Sequence, residues 1–513
     1  MPKTVFKIDL NKAPEDQAIK THNRWHPDIP MVETFKPGDT FRVECYDWTG
    51  GQIGNNDSAN DVRDVNLTKV HYLSGPFGVE GAEPGDLMVV DKEVDPFHEL
   101  AAVTHAAQKR WGKPILFNKV KGTRFPVVTN VYGSRERLAE IIGIDAADFC
   151  RQWSNLANLG SSAGGPAFVP SQDEELIECK LSELPLITYS DRDAAPYFTS
   201  AMFIAKDPET GVGNLSYHRS MFVSDQELRC RLAPRHHLTI YHEKAEKMGK
   251  PLEAAMLIGA PSTSFLTAAA PLPYDVDELE VAARLKGSPI AMRKCKHIDL
   301  EVPADTEIVI EGRFLPNERR PEGPFGEFMG YYVPEGPNAV FEVLGVTVRK
   351  DAVFHSILCG SAEEVLTLEL SVSANIYQRL SAALPGILDV TCQPFVNHAI
   401  VKMDTQFEGH ARQVMLATIG AEPIWAKIIT VVDPDVNIYD MDDVMWATLT
   451  RCRPDKDMLI IPETPSFYRD EQKDHWGRLL IDATKPFHRK PEFERKKIRL
   501  ADQIVLSDWF DNA

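Results

Sequence analysis

The sequence has 513 residues, of which 43% are hydrophobic and 26% charged; this predicts about three domains with ordinary cores and excludes a largely disordered chain. Acidic residues outnumber basic ones by 75 to 56, for a net charge of −19, so we expect neither a nucleic-acid nor a membrane partner, because both attract Lys and Arg. The eight cysteines are scattered without a CxxC pair, which is atypical of a disulfide framework or a zinc-thiolate site.

The N-terminus has no apolar leader, and no run approaches 18 apolar residues. These two features predict a soluble, cytoplasmic protein of a reducing compartment.

The first ninety residues are rich in Gly, Pro and Asp, and their short apolar runs predict strands at 40–46 and 87–90. A helical pattern follows, and then two short apolar runs. Ser134 is a candidate N-cap for a second helix, which ends at Gly143. The predicted elements are a helix at 95–109, strands at 115–117 and 125–131, a helix at 134–142 and a loop at 158–165.

Residues 185–350 are mostly of β type, with proline-rich turns between short apolar runs, which predicts a barrel or sandwich with helical insertions. A long helix is expected next, followed by an α/β alternation and a charged tail on a solvated helix. The expected strands are 184–189, 198–204, 306–311, 340–348 and 428–432, and the expected helices are 362–383, 442–451 and 489–497.

Two short motifs resemble functional sites without fulfilling them. Residues 160–164 match the GxSxG pattern, but no strand precedes them and Pro166 follows, so we interpret them as a loop. The run Asp433-x-Asp435-x-Asn437 begins like a calcium loop but lacks the later Gly and Glu, so we interpret it as a strand end and turn.

Residues 214–278 hold candidate metal ligands. Asn214 and Arg219 lie in one β-like run and would face opposite sides of an alternating strand unless a turn intervenes. His237 opens one predicted helix and Glu278 another. Amide, imidazole and carboxylate together suit Mn²⁺ or Mg²⁺ better than zinc or copper, although capping and surface roles explain the same residues.

The segment PEGPFGE at 321–327 places Glu322 and Glu327 five residues apart on an irregular backbone with two glycines and two prolines. If both converge with Arg219, their ionisations are coupled, so that one glutamate stays protonated as a general acid while the arginine orients an anionic substrate. An ordinary Gly-Pro hairpin with solvated glutamates is the alternative.

From about Val89 onward, roughly four-fifths of the chain resembles the UbiD-type decarboxylases, which use prenylated flavin mononucleotide. The stretches that carry the resemblance are ILFNKVKG at 115, NLSYHR at 214, the helix start at His237, DELEVAARLKG at 277, HIDLEVPADTEIVIEG at 297, PEGPFGEFMGYY at 321 and DVMWATLTRCRPDKD at 443.

The resemblance implies a role for each matching residue. Asn214, His237 and Glu278 match the ligands of a divalent metal, usually Mn²⁺ with a neighbouring K⁺, that ties the cofactor phosphate to the protein. Arg219, Glu322 and Glu327 match the catalytic trio: Arg219 holds the substrate carboxylate or the flavin edge, Glu322 braces it, and Glu327 supplies the proton that replaces CO₂. The implied cofactor-binding residues are Asn214, Ser216, Tyr217, His218, Arg219, His236, His237 and Glu278.

The expected activity is a reversible, non-oxidative decarboxylation of an aromatic, heteroaromatic or α,β-unsaturated carboxylic acid, with CO₂ as the second product. The cofactor acts as the electron sink and comes from a separate flavin prenyltransferase. Two departures from the family stand out: His236 replaces a Gln of relatives, and Glu369 falls where cinnamic-acid relatives carry an apolar pocket residue. A pocket carboxyl at Glu369 predicts a polar substrate, and a surface helix residue is the equal alternative.

The first ninety residues do not fit this family. HNRWHPDIP at 22, FRVECYDWTGGQIGNNDSANDVRDV at 41 and HYLSGPFGVEGAEPGDL at 71 resemble the front portion of acetamidase/formamidase enzymes. The alternative function is therefore a metal-dependent amide hydrolase, which this segment alone supports.

The resemblance implies an α+β multidomain fold with a central split β-barrel that binds the flavin and a C-terminal α/β domain. The expected segments are 1–88 (amidase-like, β-rich), 89–170 (α/β), 171–360 (split barrel), 361–384 (linker helix) and 385–513 (α/β, oligomerisation). Relatives form dimers or hexamers, and we expect a homo-oligomer of one of these kinds.

Overall fold

The structure is a computed structural model of the chain. Beyond residue 85 it describes residues 86–158, 167–171, 176–234, 236–465, 475–496 and 498–499. Before that point it describes residues 3–19, 21–22, 29–36, 41–47, 49–53, 60, 63–66, 69–70 and 72–79. The chain divides into two compact units, Met1–Leu87 and Met88–Ala513.

The first unit contains two parallel strand pairs, β1 with β3 and β2 with β4. Rings of Phe35, Phe41 and Phe77 pack together at the second pair, with 3.8 Å between the centroids of Phe35 and Phe41. The strands are β1 Lys3–Phe6, β2 Glu33–Phe35, β3 Phe41–Val43 and β4 Phe77–Val79, and a 3₁₀ turn spans Pro14–Asp16.

The second unit begins with a small α/β layer. Strands β5, β6 and β7 form a sheet that a later strand, β22, completes in the order β22-β7-β6-β5. Ser134 caps the second helix by accepting from the Arg137 N–H, as its sequence pattern predicts. The elements are β5 Met88–Val90, α1 Glu99–Trp111, β6 Ile115–Phe117, β7 Val127–Thr129, α2 Arg135–Ile141, a 3₁₀ turn Ala146–Asp148 and α3 Phe149–Asn158.

The centre of this unit is a nine-stranded antiparallel sheet in the order β10-β13-β14-β21-β18-β15-β11-β12, with β9 added to β21. Three further strands form a separate sheet in the order β17-β16-β8, and β19 pairs with β20. The strands from residue 168 to residue 355 are β8 Phe168–Pro170, β9 Leu176–Glu178, β10 Tyr197–Phe198, β11 Met202–Lys206, β12 Gly213–Tyr217, β13 Ser220–Ser224, β14 Glu227–Cys230, β15 Leu252–Ile258, β16 Ile290–Lys294, β17 Glu301–Pro303, β18 Ile308–Glu322, β19 Phe325–Gly326, β20 Tyr332–Val333, β21 Gly336–Arg349 and β22 Phe354–His355. The helices are α4 His237–Lys247, α5 Ser262–Thr267 and α6 Glu278–Lys286, and a 3₁₀ turn spans Leu181–Glu183. Closure of the sheet into a split barrel stays a prediction.

The long helix α7 spans Ala362–Ala383, the range that the sequence pattern predicts. After it comes a five-stranded mixed sheet in the order β23-β24-β25-β27-β26. Apolar residues of α3, α7 and this sheet share one core, and the nine-stranded sheet has another. The elements are β23 Ile387–Thr391, β24 His398–Met403, α8 His410–Ala421, β25 Ile428–Val432, α9 Met441–Arg451, α10 Pro454–Asp457, β26 Met458–Pro465, β27 His475–Ala483 and a 3₁₀ segment Phe487–Phe493.

Three predicted elements were wrong. Residues 184–189 do not form a strand: Pro185 has no N–H, and the backbone N–H groups of Tyr189 and Ser190 donate to the Asp193 carboxylate. The predicted strand at 198–204 is two strands, because residues 199–201 leave the sheet. The charged tail is short 3₁₀ structure ending at Phe493, since Pro491 interrupts an α-helix.

The two motif interpretations have different outcomes. The GxSxG run at 160–164 lies outside the described residues. Asp433 follows β25, and both Asp433 and Asp435 accept hydrogen bonds from the Arg451 guanidinium, which confirms a strand end and turn. Among the helices that the structure describes, none has the length and hydropathy of a membrane span.

Candidate active site

The break between β12 and β13 positions Arg219. Asn214 lies on β12, whereas His218 and Arg219 lie between the two strands. Strict alternation would place Asn214 and Arg219 on opposite faces. Because β12 ends at Tyr217 and β13 begins at Ser220, Arg219 lies outside both strands and this restriction does not apply.

The Arg219 guanidinium binds both predicted glutamates. Its Nε and Nη2 donate to Glu322 Oε1 and Oε2 at 3.0 and 2.9 Å, and its Nη1 donates to Glu327 Oε2 at 2.5 Å. The three side chains are 7%, 0% and 7% exposed. The guanidinium carbon lies 4.8 Å from the ring centroid of Phe325, which adds a cation–π contact. The structure therefore brings the predicted trio together in a nearly dry site.

The backbone of residues 321–327 brings the two carboxyl groups to one arginine. Glu322 ends β18, Gly323 has φ of +97°, and Phe325–Gly326 form the short strand β19. The Gly326 N–H donates to Asp193 Oδ1 at 2.8 Å, and a Cβ at this position would meet Ser190 Oγ at 2.5 Å. Glycine is therefore required for the close approach that precedes Glu327.

Two residues that the sequence reasoning missed also bind Glu322. The Tyr197 hydroxyl donates to Oε1 at 2.9 Å, and the Asn338 amide donates to Oε2 at 2.8 Å. Both are buried. Burial, reinforced by the Glu322 charge, raises the pKa of Tyr197 and keeps its phenol protonated. Both residues are far from Glu322 along the chain, so no local sequence pattern indicates the contact. The strand pairings β10–β13 and β18–β21 bring them close.

The three predicted metal ligands also converge. The Asn214 amide lies 3.2 Å from Glu278 Oε2, which also accepts from the Leu215 N–H at 2.8 Å. His237 Nδ1 lies 3.8 Å from Glu278 Oε1. Asp277 caps α6 by accepting from the Leu279 N–H, and this cap fixes Glu278 at the first helical position.

The electrostatics of this cluster fit a divalent cation. Burial raises the pKa of Glu278 to about 8, and burial lowers the pKa of His237, so that its imidazole is neutral. A cation would supply the positive charge that this buried carboxyl needs, and oxygen and imidazole donors suit Mn²⁺ or Mg²⁺. Within the described residues, no three His, Cys, Asp or Glu side chains form a metal cluster; the third ligand here is an amide.

The remaining predicted cofactor residues surround β12. His218 is buried; its Nε2 lies 2.9 Å from Ser216 Oγ and its Nδ1 lies 3.1 Å from the Arg231 carbonyl. Tyr217 points away from Ser216 along the alternating strand, and its hydroxyl donates to the Phe265 carbonyl. His236 is exposed, with its ring 5.9 Å from that of His218.

Glu369 is buried within α7, so the surface alternative was wrong. It is 6% exposed, and its Oε1 has no hydrogen-bond partner among the described residues. Burial raises the pKa of Glu369 to about 8, opposed by Arg135. A second carboxyl, Glu364, lies five residues earlier and interacts electrostatically with Arg219; burial raises its pKa to about 7. The sequence reasoning missed Glu364, although it stands just over one helical turn from Glu369.

Profiles of two protein families match different parts of the chain. The UbiD profile for the 3-octaprenyl-4-hydroxybenzoate carboxy-lyase Rift-related domain matches residues 167–362, and the profile for the carboxy-lyase C-terminal domain matches residues 365–483. The Acetamidase/Formamidase family profile matches residues 7–143.

Individual proteins show the same resemblance. An anhydromevalonate phosphate decarboxylase of Methanothermobacter thermautotrophicus is 30% identical over 80% of this chain and 96% of its own. The UbiD-class enzyme HmfF of Pelotomaculum thermopropionicum, solved with FMN, is 35% identical with a TM-score of 0.77 over 83% of this chain and 97% of its own. Its evolved dimeric form, solved with prFMN, is 34% identical with a TM-score of 0.75 over the same shares.

Proposed function

Because this chain belongs to the UbiD family of carboxy-lyases, we propose that it is a reversible, non-oxidative decarboxylase that uses prenylated FMN. The observation that carries the proposal is the buried Arg219–Glu322–Glu327 trio. The substrate that we propose is an aromatic, heteroaromatic or α,β-unsaturated carboxylic acid.

Arg219 is proposed to orient the substrate carboxylate. Its bonds to Glu322 and Glu327 use three of its five N–H groups. The remaining N–H groups can pair with a carboxylate in the planar geometry that guanidinium favours. Glu322 holds the plane of the guanidinium with two parallel bonds, and this pre-orientation lowers the entropic cost of placing the substrate.

Glu327 is proposed to donate the proton that replaces CO₂. Two ionised glutamates and one arginine would leave a net charge of −1 in a site from which water is almost excluded, which is costly. One proton on the pair neutralises the trio. A protonated Glu327 is then a general acid held in place by Arg219 Nη1.

Asn214, His237 and Glu278 would hold Mn²⁺ or another divalent metal beside the cofactor phosphate, with K⁺ nearby. Ser216, Tyr217, His218, Arg219 and His236 belong to the same proposed cofactor site. Prenylated FMN, when bound, supplies an electron sink for the electron pair that remains on the substrate when CO₂ departs. A flavin prenyltransferase would supply this cofactor.

Glu369 is proposed to line the substrate pocket as a neutral hydrogen-bond donor. Its unpartnered carboxyl oxygen and its raised pKa support this role. Replacement by Leu should lower kcat/KM for phenolic or N–H heteroaromatic acids more than for plain cinnamates. An equal loss for all acids would assign the polar contact elsewhere, with Glu364 the next residue to replace.

The proposal is tested by CO₂ release from protein produced together with a flavin prenyltransferase and supplied with a panel of aromatic and unsaturated acids. Glu327→Gln should lower turnover by roughly 10²- to 10⁴-fold, the usual contribution of a general acid, while the flavin and metal contents stay unchanged. Glu335→Gln, at an exposed glutamate of the neighbouring turn, is the matched control. Retained turnover in Glu327→Gln would refute the proton-donor role.

The alternative is an amide hydrolase of the acetamidase/formamidase kind, which the profile match at residues 7–143 favours. Ammonia release from formamide or acetamide tests it. Such activity should be insensitive to Glu327→Gln, so the same pair of proteins separates the two functions.

A further inference from the structure

Glu322 receives more hydrogen bonds than its role as a brace for Arg219 requires. Oε1 accepts from Arg219 Nε and the Tyr197 hydroxyl, and Oε2 accepts from Arg219 Nη2 and the Asn338 amide. An ionised carboxylate offers about four lone-pair sites. All of these sites face donors, so no position remains where a proton would be stabilised.

The Asn338 amide has its orientation fixed from behind. Arg231 Nη1 lies 3.2 Å from Asn338 Oδ1. A guanidinium only donates, so the amide oxygen must face Arg231 and the NH₂ group must face Glu322. Asn338 is 5% exposed, and therefore water does not compete for either contact.

Tyr197 is oriented by packing as well as by its hydrogen bond. Its ring lies 4.3 Å from that of Phe325, the residue beneath the Arg219 guanidinium. The phenol can either donate to a carboxylate or accept from a carboxylic acid. It donates here, because a proton on Oε1 would oppose the Arg219 Nε–H.

We propose that Tyr197 and Asn338, with Arg231 behind Asn338, are positioning residues that hold Glu322 as a permanent carboxylate and thereby confine the proton of the trio to Glu327. This inference rests on the proposed decarboxylase function. It places three positioning residues behind the catalytic trio and explains why two glutamates on one arginine have different tasks.

Removing one donor should let Glu322 compete for the proton. For Tyr197→Phe, we expect kcat to fall about ten- to a hundredfold, the size expected for one hydrogen bond to a buried charge, with KM nearly unchanged because Arg219 keeps its bonds. The acid limb of the kcat profile should move to higher pH, since Glu322 now takes up a proton more readily.

Tyr189→Phe is the matched control. The Tyr189 hydroxyl is also buried, but it bonds the neutral hydroxyls of Thr199 and Ser356 at 2.9 and 2.7 Å. Tyr189→Phe removes a phenol hydroxyl from the same core and leaves the hydrogen-bond donors to Glu322 unchanged. We expect an unchanged pH profile in this variant, even where it lowers stability.

Other charged or titratable groups face the trio. Burial raises the pKa of the Cys230 and Cys359 thiols and of Asp193, and Arg231 is positively charged. Glu364 has a pKa of about 7 and therefore titrates in the range of the experiment. The profiles should be recorded in the Glu364→Gln background as well, where the shift caused by Tyr197→Phe should persist.

A second readout does not depend on turnover. Infrared spectroscopy of the full-length protein, labelled with ¹³C-glutamate and carrying its cofactor and metal, detects protonated carboxyl groups. In Tyr197→Phe, and in the nearly isosteric Asn338→Asp, a new protonated-glutamate band should appear on acidification at a pH where the wild type and Tyr189→Phe lack it. Asn338→Asp also serves if Tyr197→Phe does not fold.

The outcomes separate this inference from the function on which it rests. A wild-type protein that releases no CO₂ from the panel contradicts the proposed function, whereas the infrared comparison still decides the state of Glu322. Identical pH profiles and identical infrared spectra for Tyr197→Phe, Asn338→Asp and Tyr189→Phe would overturn the inference.

Discussion

Glu322 and Glu327 contact the same arginine, yet their surroundings differ. Four hydrogen bonds surround Glu322, from Arg219, Tyr197 and Asn338. Glu327 directly follows the short strand β19, in which the Gly326 N–H donates to the Asp193 carboxylate. One arginine thus binds a carboxylate that stays ionised and a carboxylic acid that carries a proton. This arrangement permits general-acid chemistry at neutral pH.

Glu369 should make stability depend on pH. The pKa of this residue is about 8 in the folded protein and near 4.5 when unfolded. Between these values the folded protein holds a proton that the unfolded chain releases, so the free energy of unfolding should fall as the pH rises from about 4.5 to about 8. Glu369→Gln should remove this loss and gain roughly 4 kcal/mol relative to the wild type at pH 8.

Denaturant unfolding at pH 5 and pH 8 measures this effect, with the exposed Glu335→Gln as control. The difference between Glu369→Gln and the wild type should grow with pH. A difference that is equal at both pH values would show that Glu369 is ionised in the folded protein.

The motifs of the sequence predicted which residues converge in the structure, but they did not predict the groups that surround them. The six motif residues form two clusters in the structure: Arg219 with Glu322 and Glu327, and Asn214 and His237 with Glu278. Tyr197, Asn338 and Glu364 were missed, because they act through long-range contacts that strand pairing and helix packing create. The spacing of residues along the sequence does not indicate such contacts.

The helix α6 shows how one cap positions a ligand. Asp277 accepts from the Leu279 N–H at 2.8 Å, and its carboxylate packs so closely on Gly213 that a Cβ there would meet Oδ2 at 2.1 Å. The cap thus connects the start of α6 to β12, which carries Asn214. Two of the three proposed metal ligands, Asn214 and Glu278, depend on this contact.

Asp277→Ala should therefore weaken metal binding as well as the helix. We expect a loss of about 1 kcal/mol in the free energy of unfolding, as for other N-caps, and roughly tenfold weaker Mn²⁺ binding, as for other groups that orient ligands. Calorimetric titration with Mn²⁺ alone measures the affinity.

Asp440→Ala is the control, since Asp440 caps α9 in the C-terminal sheet domain by accepting from the Asp442 N–H at 3.0 Å. It should lower stability by a similar amount without changing Mn²⁺ affinity. Equal affinities in both variants would contradict the positioning role of Asp277.

Elements with clear boundaries were predictable and irregular ones were not. The helix Ala362–Ala383 and the cap Ser134 follow from local chemistry. The failure at 184–189 has a tertiary cause: its apolar residues Leu184 and Ile187 are buried, but its backbone groups bond a carboxylate of the next loop. The apolar run at 184–189 therefore predicted the burial of its side chains correctly, but the strand that it predicted does not form.

The chain combines a segment that matches the Acetamidase/Formamidase profile with a region that belongs to the UbiD family. The boundary between the compact units follows residue 87, whereas the amidase-family match extends to residue 143. Residues 88–143 form the small sheet and first helices of the second unit. Buried residues from Val94 to Val127 share the core of the nine-stranded sheet, whereas Tyr132, Leu138 and Ile142 share the core of α7 and the C-terminal sheet. The end of the family-profile match and the boundary between the compact units therefore lie at different residues of this chain.

Assembly should use the C-terminal sheet domain. Met445, Trp446 and Leu449 form one partly exposed apolar face on α9, and Leu449 is 76% exposed; Ile460, on the outermost strand β26, is 71% exposed. A patch of this kind is typical of a protein interface. Leu449→Glu should lower the sedimentation coefficient from that of a dimer or hexamer.

Met248→Glu, at an exposed position that ends α4, is the control for this change and should leave the assembly intact. An unchanged sedimentation coefficient for Leu449→Glu would place the interface on another surface.

The most direct test of the decarboxylase proposal is mass spectrometry of the small molecules released by denaturing the protein after production with a flavin prenyltransferase, with metal analysis of the same sample. We predict prenylated FMN and manganese from the wild type and from Glu327→Gln, and loss of both from Glu278→Gln. A folded wild-type protein that releases neither would contradict the proposal and would make the amidase-like segment the next object of study.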